Sequence, residues 1–278
     1  MLRNVLIIFL LISFVVLTIY CYCFYRWNHL WQNSSPIPYY KIECHNDDTL
    51  KILVIGDSWA EMHSDLRMDS FLCSRLQEKV SNPVLVTSKG KGGEKCKRIY
   101  QLMFERSGYG TRTLFEKGVD YCIIFAGIND AAVNWGTKQF CYHYKLIIEF
   151  LLHNHICPIV VEIPDVDIWN MYKNKPIKDK LTDFLKATMT RSMMYDYHNY
   201  REALYEMLQK DKLLDKVIYV PMTNWNGYES EINPKLFMED RVHLNSKGYH
   251  KLDECISVAI ANHLHQSKDS TLVDNSVN

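Results

Sequence analysis

Five short apolar runs alternate along the chain with longer segments whose apolar residues recur at helical spacing. The apolar runs are 51–55, 84–87, 121–126, 158–163 and 217–220. The helical segments are 60–80, 95–104, 140–152, 181–208, with room for one break, and 246–264. Strands that alternate with helices form a parallel sheet whose two faces are covered by those helices. The sequence therefore predicts an α/β domain built as a three-layer α/β/α sandwich around a five-stranded sheet.

Polar or glycine-rich segments follow four of the predicted strands. They are Gly-Asp-Ser at 56–58, Ser-Lys-Gly-Lys-Gly-Gly at 88–93, Gly-Ile-Asn-Asp at 127–130 and, beyond a longer loop, Asp-Arg-Val-His at 240–243. In open parallel sheets, ligands bind outside the carboxyl ends of the strands. We therefore expect these four segments to meet in one site.

A serine, a histidine and a carboxylate in these segments suit nucleophilic catalysis. Ser58 stands where a strand meets a helix, and a serine hydroxyl needs an adjacent base to become a good nucleophile. His243 is the candidate base, and Asp240, three residues earlier, is placed to hold the imidazole in one tautomer. We expect the developing oxyanion to be stabilised by the backbone N–H groups of Ser58 and Gly93 and by the side-chain amide of Asn129.

The same residues make the chain resemble the GDSL/SGNH hydrolase family. The resemblance rests on 56–58, Gly93, 127–130 and 240–243, which occur in the family's order, and it spans roughly 51–264. It implies a flavodoxin-like sandwich and the hydrolysis or transfer of ester-linked acyl groups without a metal or other cofactor. It also implies Ser58 as nucleophile, His243 as general base, Asp240 as its orienting acid, and Ser58, Gly93 and Asn129 as the oxyanion hole.

Two positions depart from the family's pattern. Trp59 replaces the fourth residue of the GDSL motif, which we expect to change packing or pocket shape rather than chemistry. The second loop continues from Gly93 into Glu94, where the family often has a small hydroxylated residue after its glycine. Gly92 is therefore an alternative to Gly93 as the backbone donor.

An apolar run at 5–25 precedes the predicted domain. Its 21 residues are enough to cross a hydrocarbon core of about 30 Å as a helix. The run ends in bulky aromatic residues rather than the small residues of a signal-peptidase site, which favours an uncleaved anchor over a cleaved signal. A short N-terminal tail carrying Arg3 favours an extracytoplasmic domain, whereas many unpaired cysteines point mildly the other way.

These segments divide the chain into four parts. We predict a membrane anchor at 1–31, with its helix at about 5–25, and a linker at 32–48. An SGNH hydrolase domain at 49–265 and a disordered polar tail at 266–278 complete the division.

Composition and spacing argue against several other classes. Lys+Arg and Asp+Glu both number 32, and no basic stretch suggests a nucleic-acid partner. The nine cysteines contain no CxxC pair, so neither a zinc site nor a disulfide framework is indicated. His153 and His155 lie at a predicted helix end without a third ligand nearby, so no metal is expected there. The oligomeric state is left open.

Acidic and aromatic residues in the two long loops are candidates for substrate contact. Glu162, Asp165 and Asp167 follow the fourth strand, where a solvated loop is the simpler interpretation. The aromatic residues are Trp169, Tyr172, Trp225 and Tyr228. They suit either a platform for a sugar ring or the packing of a lid.

Four functions fit these observations. The first is hydrolysis of O-acyl esters, above all O-acetyl esters on a carbohydrate outside the cytoplasm. The second is transfer of the same acyl group to a glycan hydroxyl. The third is a lipid esterase or thioesterase, for which the sequence shows no long apolar lid. The fourth is a catalytically inactive carbohydrate-binding homologue.

Overall fold

A five-stranded, entirely parallel sheet lies at the centre of the computed structural model, which describes residues 2–29, 35–222, 225 and 233–275, with side chains described as far as 266. The strands are β1 (Leu50–Gly56), β2 (Val84–Gly90), β3 (Tyr121–Phe125), β4 (Cys157–Val161) and β5 (Ile218–Val220). Their spatial order is β2-β1-β3-β4-β5, the flavodoxin-like order of a doubly wound sheet. The predicted fold class is confirmed.

Eleven α-helices are present in the described residues. They are α1 (Leu2–His29), α2 (Ser58–Asp65), α3 (Met68–Gln77), α4 (Cys96–Leu102), α5 (Arg112–Phe115), α6 (Ile128–Ala132), α7 (Thr137–His153), α8 (Ile168–Tyr172), α9 (Ile177–Thr190), α10 (Tyr197–Lys210) and α11 (Ser246–Asn275). A single 3-10 turn, Leu214–Lys216, precedes β5.

The central strands are buried because helices cover both faces of the sheet. Every residue of β3 is buried, and so are the last five of β1. A strand buried on both sides reads as a continuous apolar run rather than an alternating one. Each fully buried aliphatic side chain contributes about 1.5–3 kcal/mol, so these runs dominate the free energy of folding.

Two predicted helices are each divided in the structure. The segment 60–80 forms α2 and α3, which are separated at Arg67, a residue in the left-handed conformation with φ 56°. The segment 181–208, in which the sequence leaves room for one break, forms the end of α9 and most of α10, with Arg191 at φ 55° between them. The break at Arg67 was not expected, because the apolar stripe resumes beyond it.

Both ends of the α/β domain differ in detail from the sequence prediction. Ile37 donates its backbone N–H to Tyr100 Oη at 2.9 Å, and buried Ile42 donates to Asn154 Oδ1 at 3.1 Å, so much of the predicted linker packs on the domain. At the other end, α11 runs to Asn275 through most of the predicted disordered tail. No glycine or proline follows Gly248, so nothing local ends the helix. The division into four parts stays a prediction.

The N-terminal helix α1 is long and apolar enough to cross a membrane. It has 28 residues, its most apolar window has a mean hydropathy of 2.8, and none of that window is buried. A signal sequence near an N-terminus has the same properties. The structure therefore confirms one candidate membrane span. Whether the segment is cleaved, and how it is oriented, stay predictions.

Candidate active site

Ser58 is the first residue of α2 and follows β1 directly. Its neighbour Asp57 caps the helix, because the Asp57 Oδ1 atom accepts the backbone N–H of Trp59 at 3.0 Å. Gly56 makes this turn possible. Its φ is +157°, and a Cβ there would lie 2.1 Å from the backbone oxygen of Phe125 in the adjacent strand β3. The turn therefore holds Ser58 at the carboxyl end of the sheet.

Ser58, His243 and Asp240 form a continuous chain of hydrogen bonds. Ser58 Oγ lies 2.8 Å from His243 Nε2, and His243 Nδ1 lies 2.6 Å from Asp240 Oδ2. The carboxylate contact places the ring proton on Nδ1, which leaves Nε2 to accept the serine hydroxyl. We call these three residues the open cluster, because the His243 and Asp240 side chains are 18% and 35% exposed.

Asp240 is held as a carboxylate by three donors. Its Oδ1 atom accepts the backbone N–H groups of Val242 and His243, both at 2.9 Å. Burial raises the pKa of the Asp240 carboxyl, but these bonds and the His243 ring outweigh it, and the net pKa is lowered. An ionised Asp240 can orient the imidazole and stabilise its protonated form.

Asn129 lies near the same turn on the short helix α6. Its Nδ2 atom donates to Asp57 Oδ2 at 3.1 Å. A side-chain amide has two N–H groups, so this bond fixes the orientation of the amide and leaves one hydrogen for a further acceptor. Burial raises the pKa of Asp57 to about 6. The carboxyl of Asp57 thus links the helix cap below Ser58 to the predicted oxyanion donor.

The glycine-rich loop after β2 passes beside Ser58. A Cβ on Gly92 would lie 3.7 Å from Ser58 Cβ, which places Gly92 against the serine. The Gly92 N–H already donates to Glu61 Oε2 at 2.8 Å. Gly93 follows with φ +77°, a conformation that favours glycine, and with open space around a Cβ. Of the two candidate donors, Gly92 therefore already has a carboxylate acceptor.

Asp130 ties the third segment to the second. It is fully buried, and its Oδ2 atom accepts the backbone N–H of Cys96, the first residue of α4, at 3.0 Å. Burial raises the pKa of Asp130 to about 7. The Asn-Asp pair at 129–130 thus directs one side chain to Asp57, beside Ser58, and the other to the start of α4, which follows the glycine-rich loop.

Trp59 acts through packing, as expected for a departure from the family's motif. It is 2% exposed, and its indole Nε1–H donates to the backbone oxygen of Val242 at 3.2 Å. Tyr249 donates its hydroxyl to the backbone oxygen of Trp59 at 2.9 Å. These bonds join the helix that begins at Ser58 to the loop that carries His243.

A second serine–histidine–carboxylate cluster lies inside the domain. His63 Nδ1 is 2.7 Å from Ser88 Oγ and 2.9 Å from Asp69 Oδ1, while its Nε2 is 3.0 Å from Asp253 Oδ1. Ser88 also donates its hydroxyl to Asp69. The His63 and Asp253 side chains are both 0% exposed. We call Ser88, His63, Asp253 and Asp69 the buried cluster; the sequence analysis did not identify it.

The protonation state of His63 follows from its partners. Burial alone would lower the pKa of His63, but hydrogen bonds from the ring to Asp253 and Asp69 raise it to about 9. Both ring nitrogens face carboxylates, an arrangement that favours a protonated His63, while burial also raises the pKa of the Asp253 carboxyl. The side chain of His63 thus connects α2 to α3, β2 and α11.

Two of the three acidic residues after β4, Glu162 and Asp165, are buried, contrary to the expected solvated loop, whereas Asp167 is partly exposed. Glu162 accepts the Tyr219 hydroxyl at 2.8 Å and the backbone N–H of Met222 at 2.7 Å. Asp165 pairs with Arg201 at 2.9 Å. No sequence pattern indicates Arg201 as a partner, because it lies on α10, far along the chain.

The candidate aromatic residues are divided between packing and exposure. Trp169 and Tyr172 both contact Tyr195, with ring centroids 4.9 and 5.3 Å apart, yet Trp169 remains 58% exposed. Trp225 is 6% exposed and packs against Phe237. Tyr228 lies outside the described residues.

The histidines at the end of α7 have ordinary structural surroundings. His153 is the last residue of that helix, and its ring centroid is 5.0 Å from that of Tyr39. His155 follows with φ 59° in the turn. Within the part of the chain that the structure describes, no group of three or more His, Cys, Asp or Glu residues is arranged to hold a metal ion.

Three contacts at the site were not foreseen from the sequence. They are the carboxylate of Glu61 on Gly92, the Asp57–Asn129 bond, and Asn170, whose Nδ2 atom donates to the backbone oxygen of Asp240 at 3.3 Å. Glu61 lies one helical turn after Ser58, so helical spacing alone predicts that it lies near the site. Asn170 belongs to an insertion after β4, and no motif marks it.

Comparison with known proteins agrees with this geometry. Three solved structures share the fold at low identity: the lipase/acylhydrolase from Enterococcus faecalis, TesA, and a lipolytic protein of the G-D-S-L family from Desulfitobacterium hafniense DCB-2. Their TM-scores are 0.53, 0.53 and 0.51, and their identities are 15%, 14% and 16%. In the same order, the aligned regions span 77%, 76% and 75% of this chain. They span 97%, 97% and 98% of the three solved chains.

Sequence comparison identifies the family directly. No curated protein matches the chain. A family model does, over residues 54–251, the part of the chain that contains the end of β1, all of β2 to β5 and every residue of the open cluster. Since that match covers more than half of the sequence, the chain belongs to the GDSL-like lipase/acylhydrolase family.

Proposed function

We propose that the protein is a serine ester hydrolase that removes O-acyl groups, specifically O-acetyl groups, from a carbohydrate. The observation that carries the proposal is the hydrogen-bond chain from Ser58 to His243 at 2.8 Å and on to Asp240 at 2.6 Å. Membership of an acylhydrolase family supports the ester-directed chemistry.

In the proposed first step, Ser58 Oγ attacks the ester carbonyl carbon while His243 Nε2 takes the hydroxyl proton. Asp240 keeps the Nδ1 proton in place and stabilises the imidazolium ion that forms. The carbonyl oxygen becomes an oxyanion. The backbone N–H groups of Ser58 and Gly93 and the second hydrogen of the Asn129 amide are the proposed donors to it.

Collapse of this intermediate releases the alcohol. His243 then returns its proton to the departing oxygen, and the acyl group remains on Ser58 as an ester. A water molecule, deprotonated by the same histidine, attacks the acyl-enzyme and releases the carboxylic acid. The cycle needs no metal or cofactor beyond the residues already named.

A carbohydrate substrate is supported by the insertion that follows β4. Trp169 is 58% exposed on α8, and Asn170 in the same helix contacts the Asp240 backbone. An exposed indole beside a catalytic loop suits stacking against the apolar face of a sugar ring. Trp169 therefore replaces the wider set of four aromatics as the specific proposed platform residue.

We also propose that α1 is an uncleaved anchor and that the domain lies on the extracytoplasmic side. The support is the length and hydropathy of α1, together with its bulky aromatic C-terminal end. The last two turns of α1 contact the domain. Asn28 Nδ2 donates to the Met189 backbone oxygen at 2.7 Å, and Gln139 Nε2 donates to the Trp27 oxygen at 3.2 Å.

The test measures acid release by the full-length protein in detergent. Acetylated oligosaccharides are compared with p-nitrophenyl esters of acetate and of longer acids, with Ser58→Ala as the control. We expect serine-dependent release of acetate and a falling rate as the acyl chain lengthens. Preference for long acyl chains would instead indicate a lipid esterase or thioesterase. Acetyl groups that move to added glycan rather than to water would indicate a transferase.

A further inference from the structure

Six large apolar side chains are exposed on the segment between β4 and α10. We call them the cap surface: Met171, Ile177, Leu181, Phe184, Leu185 and Met193. They lie on or beside α8 and α9. Contiguous apolar surface of this kind on a soluble domain marks a place where something else binds.

The helix α9 is turned the opposite way from an ordinary surface helix. A helix on a soluble protein buries its apolar face and exposes its polar one. In α9, Asp183 and Ala187 are the buried positions, each 3% exposed, whereas Leu181 and Phe184 are 57% and 56% exposed. The chain thus directs a carboxylate inward and its aliphatic and aromatic residues outward.

The buried carboxylate of Asp183 has two polar partners close by. Asp183 pairs with Lys175 and accepts the Tyr195 hydroxyl at 3.0 Å. These contacts fix the rotation of α9 about its own axis. The outward direction of Phe184 and Leu181 is therefore set by specific hydrogen bonds, because turning the helix over would leave a buried carboxylate without its partners.

The helix α9, which carries most of the cap surface, contacts the end of α1. Asn28 donates to the Met189 backbone oxygen at 2.7 Å, and Lys186 Nζ lies 5.6 Å from the centre of the Trp27 ring. Arg191, which follows α9, lies 6.0 Å from the Phe24 ring. The apolar helix that is long enough to cross a bilayer therefore ends directly against α9.

The fully exposed charges around the cap surface are cationic. Between 168 and 193, all described, they are Lys173, Lys178 and Arg191, while Asp179 is partly exposed and Asp183 is buried. Cationic side chains beside an exposed apolar face suit the headgroup region of a bilayer. There their charges meet lipid phosphates, and their aliphatic stems cover apolar surface.

We propose that the cap surface lies in the headgroup region of the same bilayer that α1 crosses, so that the domain is bound to the membrane at two adjoining places. This rests on the anchoring role of α1 that is part of the proposed function. The occupant is the lipid bilayer rather than a second protein, since the surface is bordered on one side by a membrane-spanning helix and elsewhere by cations.

This placement brings the open cluster close to the membrane. The backbone N–H of Asp167 donates to the Arg241 oxygen at 3.0 Å, and Asn170 contacts the Asp240 oxygen at 3.3 Å. The insertion that carries the cap surface therefore also holds the loop of His243. Substrate would enter a site whose rim stands at the bilayer surface.

The test uses the full chain in vesicles of phosphatidylcholine and phosphatidylglycerol, with a photoreactive residue at one position at a time. The variants are Phe184→benzoylphenylalanine on the cap surface, Phe14→benzoylphenylalanine in α1, and Leu85→benzoylphenylalanine. Leu85 is a matched control. It is 51% exposed but lies near the amino end of β2, at the edge of the sheet opposite the site. Lipid adducts are counted by mass spectrometry after illumination.

We expect lipid adducts at Phe14 and Phe184, with at least about tenfold more at Phe184 than at Leu85, because an interfacial residue lies within reach of acyl chains. Adducts at Phe14 but no more at Phe184 than at Leu85 would overturn the proposal and leave the anchor intact. Crosslinks from Phe184 to a second copy of the chain would overturn it in favour of a dimer.

Absence of lipid adducts at both Phe14 and Phe184 would contradict the anchoring role of α1. It would also overturn the cap surface proposal, which depends on that role. None of these measurements needs turnover. An inactive protein would therefore contradict the proposed esterase without affecting this result.

Discussion

The domain contains two serine–histidine–carboxylate clusters that differ in nearly everything except residue type. In the open cluster, His243 faces one carboxylate and one serine, and its side chain is 18% exposed. In the buried cluster, His63 faces two carboxylates and a serine, and its side chain is 0% exposed. The first lies at the carboxyl ends of the strands, whereas the second is enclosed by α2, α3, β2 and α11.

The direction of the serine proton separates the two clusters chemically. Ser58 Oγ lies within hydrogen-bond distance of His243 Nε2 while the other ring nitrogen faces Asp240, an arrangement that suits a general base. Ser88 donates to Asp69, and the His63 nitrogen beside it is already protonated. We therefore expect catalysis at the open cluster and none at the buried cluster, although both contain serine, histidine and aspartate in hydrogen-bond contact.

The largest expected effect is on turnover. Ser58→Ala should lower kcat for an acetyl ester by at least about 10⁴-fold, because the nucleophile is removed. Ser88→Ala should keep kcat within about threefold of the wild type, since that hydroxyl contacts no reacting atom. Steady-state kinetics on both purified variants measures the contrast. Equal losses of kcat in the two variants would show that Ser58 and Ser88 do not differ in this way.

Stability should show the reverse contrast. His63→Gln leaves two carboxylates without their cation, and breaking a buried ion pair in this way costs about 3–5 kcal/mol. We expect a fall in Tm of about 10 °C for a domain of this size. His243→Gln, in a partly exposed position, should change Tm far less while abolishing turnover. Thermal unfolding followed by circular dichroism compares the two. A His63→Gln protein as stable as the wild type would contradict the assigned charge.

Substitution of Asn129 tests whether the open cluster has an oxyanion donor that acts only during the reaction. Asn129→Ala should lower kcat by about 10²–10³-fold with little change in KM, as for loss of one oxyanion donor. Its removal also takes a donor from Asp57, so Tm must be measured in parallel. A large rise in KM with unchanged kcat would instead assign Asn129 to substrate binding.

The smallest effect expected is the pH dependence of stability. The folded-state pKa of His63 is about 9, above the unfolded value of about 6.5. The stabilisation is therefore fully present below about pH 6.5 and is lost as pH rises through 9. We expect the Tm difference between wild type and His63→Gln to shrink over that window. A difference that stays constant from pH 6 to 10, roughly the range spanning both pKa values, would argue against a charged His63.

Much of the fold was predictable because burial on both faces of the sheet leaves a strong signal. All five strands were placed within a few residues of their observed bounds, and the segments after them meet at one edge of the sheet. Local conformation was less predictable. The left-handed Arg67 and Arg191 divide helices whose apolar pattern continues across the break.

Long-range pairing explains the rest of what the sequence did not show. Glu162 and Asp165 read as solvated because their partner Arg201 lies on α10, and single-chain patterns carry no information about such contacts. His63 looked unremarkable for the same reason, since Asp253 is distant in sequence. The outward apolar face of α9 was also missed, because periodicity shows that a helix is amphipathic but not which face the protein covers.

The most direct test of the central claim is covalent labelling of the full-length protein with a fluorophosphonate, followed by peptide mass mapping. Because only a serine beside an unprotonated histidine is an activated nucleophile, we predict one adduct, on Ser58. His243→Ala should abolish this adduct in folded protein, and Ser88 should stay unmodified in every sample. Folded wild-type protein that forms no adduct on Ser58, or labels Ser88 equally, would contradict the account.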